Sequence, residues 1–299
     1  MNTKYYRLLL AATAVMGLVL VPGCDKNDQK DENAGPFYGS LTDIEGNFYK
    51  TVEIGWGEWM TENLRTTSYN DGTPIPTGLD PAEWSNTLEG AYAVYPHENV
   101  DGLDSDEEVV NAYGLHYNWY AVETGKLCPP GWRVPSAEDW DGLLFYLIDN
   151  YDEINAENVG DFLKSCRQVD SPLGGDCNTN IHPRWNRDEK IVIVFPDEED
   201  PHSDFELEYS SLAGTDEFGF SALPSGQFSG KGFGIGYKSL FWTSGSDFLF
   251  RNDYLTEREK APAFLLQPGL YYNISKTTGF PTRCVRGDLP ERVPRYREP

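Results

Sequence analysis

Apolar and polar positions alternate along most of this chain at short range, and only one stretch repeats at helical spacing. Trp140, Leu143, Leu144, Leu147 and Ile148 fall on one face of a helix. Pro135 marks its boundary, Ser136 supplies an N-cap, and Glu138 and Asp139 suit the positive end of the helix dipole. Asn155–Ser165 reads as a second, shorter helix. Elsewhere the pattern has period two. Residues 47–64 read as a hairpin, with FYKTVEIG, a turn near Trp56-Gly57, then EWMTENL. Residues 91–95 and 116–122 are strand-like and aromatic-rich. Residues 191–195 and 205–209 flank an acidic turn as another hairpin. Short strands are expected at 240–243, 263–267, 270–274 and 281–286. A helix with one apolar face must lie on something, and the short strands after it supply a sheet.

The N-terminus follows a different pattern. Lys4 and Arg7 precede an apolar run, Leu8 to Val21, that is short for a membrane-spanning helix. The run ends at Val21-Pro22-Gly23-Cys24, which resembles the lipobox of lipoproteins. The resemblance implies a signal peptide over residues 1–23 and a diacylglycerol thioether on Cys24. Asp25 to Pro36 is polar and charged and lacks the apolar surface to fold, so residues 24–38 read as a flexible tether. Its acidic character resembles the surface-export signals of Bacteroidetes lipoproteins. An outer-membrane lipoprotein facing outward is the resulting expectation, with membrane contact through the lipid alone.

Charge and cysteine usage narrow the partners. The chain carries 48 acidic against 24 basic residues, and loss of Lys4 and Arg7 with the signal peptide makes it more acidic still. Such a balance repels nucleic acid and anionic lipid surfaces. Beyond Cys24, four cysteines remain, and four allow three pairings. Cys166 and Cys177 flank a short Gly-rich stretch and are expected to close a local loop. Cys128 and Cys284 would then link the middle of the chain to its end. Export to an oxidising compartment favours both bonds.

Six blocks occur in order: WMTENLR at 59–65, YGLHYNWYAV at 113–122, CPPGWRVPSAEDW at 128–140, DEFGFSALPSG at 216–226, FWTSG at 241–245 and GFPTRCVRG at 279–287. Together they resemble the signature of the FISUMP family, the Fibrobacter succinogenes major paralogous domain of secreted and surface proteins. The match covers residues 39–287 and leaves 288–299 as a C-terminal tail. Two stretches depart from the pattern: a long acidic segment between Cys166 and Ala213, and a charged one from Asp247 to Pro262. More distantly, the blocks resemble the C-type-lectin-like fold shared by formylglycine-generating enzymes. That resemblance implies an α+β, C-type-lectin-like domain of small twisted antiparallel sheets with one or two helices and long loops, first and last strands lying close together, and a Cys128–Cys284 bond joining the segment before the helix to the last strand.

Candidate chemistry is sparse. His97, His116, His182 and His202 show no metal-ligand spacing. No G-x-S-x-G elbow is present. The glycines from Gly226 to Gly236 lack the Ser or Thr of a phosphate loop, and read instead as an extended segment with a close-packed glycine face. Glu98–Glu108 and Asp197–Asp200 are the places where Ca2+ would bind, but neither matches a calcium loop, and both read as solvated. No metal or cofactor is therefore assigned. No carboxylate pair stands out among the acids for glycoside hydrolysis. Trp132, Trp140 and Trp242 are expected in the core. Trp185, Tyr254, Tyr271 and Tyr272 lie in or near the variable segments and are the candidate ligand contacts. The expected function is a non-catalytic, surface-anchored recognition or adhesion module for glycan or protein. The alternatives are a structural subunit of a surface or fimbrial assembly, and an enzyme like the formylglycine generators, which would need reactive cysteines.

Overall fold

Alternating residues of β2 (Phe48–Ile54) turn Tyr49, Thr51, Val52 and Ile54 inward and leave Lys50 and Glu53 in solvent. The strand pairs on one side with β1 (Tyr38–Thr42) and on the other with β3 (Gly57–Met60). The computed structural model describes residues 38–186, 191–194, 206–209, 212–245, 260–266 and 270–288. The β2–β3 turn is Gly55-Trp56, one residue earlier than the sequence pattern placed it. Gly55 takes the left-handed conformation that a two-residue turn demands (φ 62°).

Helices α1 (Pro81–Asn86), α2 (Asp106–Tyr113) and α3 (Trp119–Glu123) alternate with two short paired strands, β4 (Tyr92–Ala93) and β5 (His116–Tyr117). The sequence pattern missed all three helices, and each has a local cause. Asp80 and Glu83 form a capping box on α1. Ser105 caps α2, and the acids Asp106, Glu107 and Glu108, read above as part of a solvated loop, fill its first turn. Asn118 accepts from the Ala121 backbone and starts α3, so the strand expected over 116–122 ends at Tyr117. Helix α4 (Ala137–Asn150) is the one expected, opened by a reciprocal Ser136–Asp139 capping box. Helix α5 (Val159–Leu163) is shorter than expected.

The second half is mostly strand. β6 (Ile191–Val194) and β7 (Glu206–Tyr209) form the expected hairpin. β8 (Ser225–Phe228) and β9 (Gly232–Ile235) form another. β10 (Leu240–Trp242), β11 (Lys260–Leu265) and β12 (Leu270–Ser275) make a three-stranded antiparallel sheet. Finally β13 (Val285–Arg286) returns to the first sheet beside β3, pairing Val285 with Trp59. The first and last strands thus share one sheet, in the order β1-β2-β3-β13.

The apolar face of α4 explains the main packing. Trp140, Leu143 and Leu147 bury against Val52, Ile54 and Trp59 of the first sheet, and against Phe241 and Phe264 of the second. Trp140 lies 5.1 Å from Trp59 and stacks at 4.7 Å on Phe264. A second cluster gathers Tyr49, Met60, Tyr117, Trp119 and Trp242 around the Cys128–Cys284 disulfide. Trp140 and Trp242 are core residues as expected. Trp132 is only partly buried, under the Arg286 guanidinium 5.0 Å from its ring. The Cys166–Cys177 bond is formed as well.

Candidate functional site

Arg283 is fully buried, and it organises the ground beneath the site. Its Nε donates to Asn63 Oδ1 (2.9 Å), Nη1 to the carbonyls of Met60 and Phe220, and Nη2 to that of Ser221 (2.6 Å). Phe220 and Phe241 lie beneath the guanidinium at 4.8 and 5.4 Å. Asn63 passes the network on to the Tyr113 carbonyl and Ser225 Oγ (2.8 and 2.7 Å). His116 Nε2 donates to the Ser225 carbonyl (2.8 Å), and Trp242 Nε1 to that of Tyr117 (2.7 Å). Burial pulls the His116 ring down to about 4, so it is neutral here. Burial also lowers Arg283, to about 9, still cationic at neutral pH. The sequence blocks therefore meet in one buried frame, in which Arg283, Asn63 and His116 hold backbone carbonyls of distant segments.

Above this frame lies a groove of about 790 Å³. One wall is the outer side of WMTENLR with its neighbour Lys50, contributing Glu62, Asn63 and Arg65. The other is the loop closed by the Cys166–Cys177 bond, contributing Arg167, Asp176, Asn178 and Thr179. Asn111 of α2 closes one side, and Asp216 and Ser221 reach it from below. Arg65 is held in place by Glu62 (2.7 Å), by the Phe48 carbonyl (2.8 Å) and by the Tyr49 ring beneath it. Arg167 donates to the Ile181 carbonyl (2.9 Å). Among the described residues of the lining, Lys50, Arg65 and Arg167 balance Glu62, Asp176 and Asp216, although the chain is strongly acidic. These described residues offer both donors and acceptors, and none of them is aromatic.

Asp216 needs separate treatment. Burial pushes its carboxyl up to about 6, against the opposing pull of its Ser221 hydrogen bonds and of Arg283. A general acid wants such a value. Both oxygens are already engaged, however: Ser221 N donates to Oδ1 (2.6 Å) and Ser221 Oγ to Oδ2. Asp216 and Ser221 both sit at positive φ (56° and 53°), so the carboxyl closes the turn that brings the Phe220 and Ser221 carbonyls to Arg283. Its role in this geometry is positional.

The aromatic candidates fare differently. Trp185 is not a ligand contact. It is 2% exposed, its Nε1 donates to Ser165 Oγ (2.9 Å), and Lys164 Nζ lies 5.5 Å above its ring. A disulfide-closed insertion needs a core of its own, and Trp185 provides it. Tyr272 is exposed, opposite Ala263 on the edge strand β12. The Tyr271 backbone pairs with Phe264, but its side chain, like the whole of Tyr254, lies outside the described residues. So do His202, Asp197–Asp200, Cys24, the signal segment and the tether up to residue 37; Tyr38, expected as its last residue, instead opens β1.

Two further histidines are accounted for. His182 bonds Tyr113 Oη through Nδ1 (2.7 Å) and donates from Nε2 to the Asp101 carbonyl (2.8 Å), tying the insertion to α2. Burial lowers its pKa. His97 Nδ1 lies 2.8 Å from Asp106, whose carboxylate also accepts from the His97 backbone, and that bond raises the His97 pKa. Glu98 completes a group of possible ligand atoms within 4.8 Å, all of it at the surface. The contacts are those of a clasp on the first turn of α2.

The buried frame joins blocks that recur as a set, and comparison with known families matches that pattern. A family profile described as the Fibrobacter succinogenes major domain covers residues 52–286. The chain belongs to this family. No curated protein and no solved structure matches it. In this member of the family, the groove wall comes from the segment after Cys166, which the sequence comparison had set apart as a departure. Among the described residues, no helix is long and apolar enough to cross a membrane.

Proposed function

We propose that this family member is a non-catalytic recognition module, anchored by lipid on Cys24 and displayed outward from the outer membrane, which binds glycan or protein in the groove between Glu62–Arg65 and the 166–177 loop. The observation that carries the reading is the lining itself. A near-neutral surface alternating fixed donors and acceptors suits a ligand whose groups both donate and accept, as sugar hydroxyls and peptide groups do. Because the described residues of the lining include no aromatic ring, hydrogen bonds rather than stacking would supply their share of its specificity.

Two further points support the reading. Cys128, Cys166, Cys177 and Cys284 are all disulfide-bonded, whereas formylglycine-type chemistry calls for reactive thiols. The return of β13 to the first sheet and the Cys128–Cys284 link are features that a C-type-lectin-like domain would share, and we adopt that fold reading here.

The test is a glycan and glycoprotein array probed with the purified protein and with Asn178→Ala. Saturable binding that weakens about five- to tenfold in the variant is the expected result, since a lost hydrogen bond to a polar ligand costs about 1–1.5 kcal/mol. A blank array sinks the groove reading and favours a subunit of a surface assembly, seen as a stoichiometric complex from membranes. Mass spectrometry of the native protein checks the anchor: acyl chains on Cys24 are expected, and a free thiol there contradicts it.

A further inference from the structure

We infer that the outer face of the β8–β9 hairpin is a second binding site, separate from the groove, where a pyranose bearing an acid group stacks on Phe233 with that group at Lys238. The hairpin is fixed to the body by its glycines. A Cβ on Gly232 would come 2.6 Å from the Tyr95 ring, and one on Gly236 would come 2.4 Å from the Asn186 amide. A Cβ on Gly226 would come 2.5 Å from the Phe233 carbonyl across the ladder. Only glycine permits these approaches, so the inner face is backbone pressed on the body and the outer face carries the side chains.

Simple alternation would put Phe233 and Ile235 on one side. Gly234 between them takes φ 83°, and Gly226 takes φ 64°. The strand turns there, Ile235 is buried, and Phe233 is left 60% exposed. A lone exposed apolar residue would mean nothing. Phe233 is not alone: Lys238 Nζ lies 5.9 Å from its ring centroid, Gln227 stands directly across the ladder, and Tyr237 is also exposed. These groups form an exposed ring with an ammonium over one face and an amide across the ladder.

Charge selects the ligand. Between Glu217 and Asp247 the chain has no acidic residue, while it carries Lys231 and Lys238. The hairpin segment is thus basic in sequence within a strongly acidic chain. At the hairpin tip, Gly230 packs on Pro81 of α1, and the acids of that helix, Asp80 and Glu83, are engaged in its capping box. Distant acids are screened beyond about 8 Å at physiological salt, so local lysines decide for a single acid group. A dense polyanion would meet the rest of the surface and be repelled. A sparsely charged glycan fits: the C–H face of its ring on Phe233, a carboxylate or sulfate at Lys238, and a hydroxyl at Gln227.

This inference rests on the recognition reading but not on the groove. The experiment is affinity electrophoresis of the purified protein in native gels containing hyaluronan, κ-carrageenan or neutral dextran. Retardation by hyaluronan assigns a carboxylate, and by κ-carrageenan a sulfate. Either is expected to weaken about five- to tenfold in Phe233→Ala and in Lys238→Gln, to vanish at high salt, and to be absent with dextran. Asn178→Ala is expected to behave as wild type in these gels. The inference is overturned if neither acidic polymer retards the protein, if dextran retards it equally, or if both hairpin variants match wild type. Loss of array binding in Asn178→Ala alongside any of these would leave the groove reading intact.

Discussion

Replacing Arg283 by Met keeps the length and apolar bulk of the side chain and removes its charge and donors. Three buried acceptors, Asn63 Oδ1 and the carbonyls of Met60 and Phe220, then lose a partner, as does the partly buried carbonyl of Ser221. The stacking of a cation on Phe220 and Phe241 goes too. Unpaired buried acceptors cost about 1–3 kcal/mol each but are not additive, because the loop at 216–221 will relax. Breaking a buried charged network typically costs about 3–5 kcal/mol, a large part of the about 5–15 kcal/mol that holds a domain together. The expected loss for Arg283→Met is about 4 kcal/mol. With a urea dependence of about 2 kcal/mol per molar, the unfolding midpoint should fall by about 2 M. Tryptophan fluorescence follows the transition well, since Trp59 and Trp140 both contact Phe220. A loss below about 1 kcal/mol would refute the view that this guanidinium organises the frame.

Titration gives a second test. Asp216, raised to about 6 by burial from 3.8, contributes stability that is full below 3.8 and lost as pH rises through 6. His116, lowered to about 4 by burial from 6.5, contributes stability that is full above 6.5 and lost as pH falls through 4. Each amounts to about 3 kcal/mol, and the two oppose each other over one window. Asp216→Asn should therefore lose stability on acidification from pH 7 to pH 4, and His116→Gln should gain it, both read by urea unfolding; parallel curves for both variants and wild type would contradict this. The disulfides should differ in kind. Cys128→Ser with Cys284→Ser opens a bond spanning 156 residues and should cost about 5 kcal/mol in the chain-entropy picture. Cys166→Ser with Cys177→Ser opens one spanning 11 and should cost about 3 kcal/mol, while abolishing ligand binding in the groove. Trp185→Ala should destabilise the insertion by about 3–5 kcal/mol, read as faster amide exchange over 165–186; unchanged exchange would restore Trp185 as a surface residue.

Elements defined by local periodicity were legible in the sequence: α4 by its apolar face and Ser136 cap, β2 by alternation, and β6–β7 by the acidic turn between them. The short helices were not, because α1, α2 and α3 are set by local caps rather than by a long apolar stripe. The family was readable because its blocks are contiguous. Their purpose was not, since Arg283 meets Asn63 and Phe220 only after folding brings distant segments together. The groove was hidden for the same reason. Its walls, Glu62–Arg65 and Asp176–Thr179, are far apart in the chain, and only the first lies in a family block. Trp185 misled because a large aromatic in a polar insertion looks exposed, until the disulfide-closed loop is seen to need a core. Phe233 was passed over because alternating glycines drew attention to backbone packing and away from the side chain between them.

The central claim is that ligand is held, unaltered, between Glu62–Arg65 and the 166–177 loop. Hydrogen-exchange mass spectrometry of the purified protein, with and without the tightest array ligand, tests it most directly. The account predicts slowed exchange confined to the segments around 61–65 and 175–181, with ligand recovered at unchanged mass. Slowed exchange elsewhere with none in these segments, or recovery of a cleaved ligand, would contradict it.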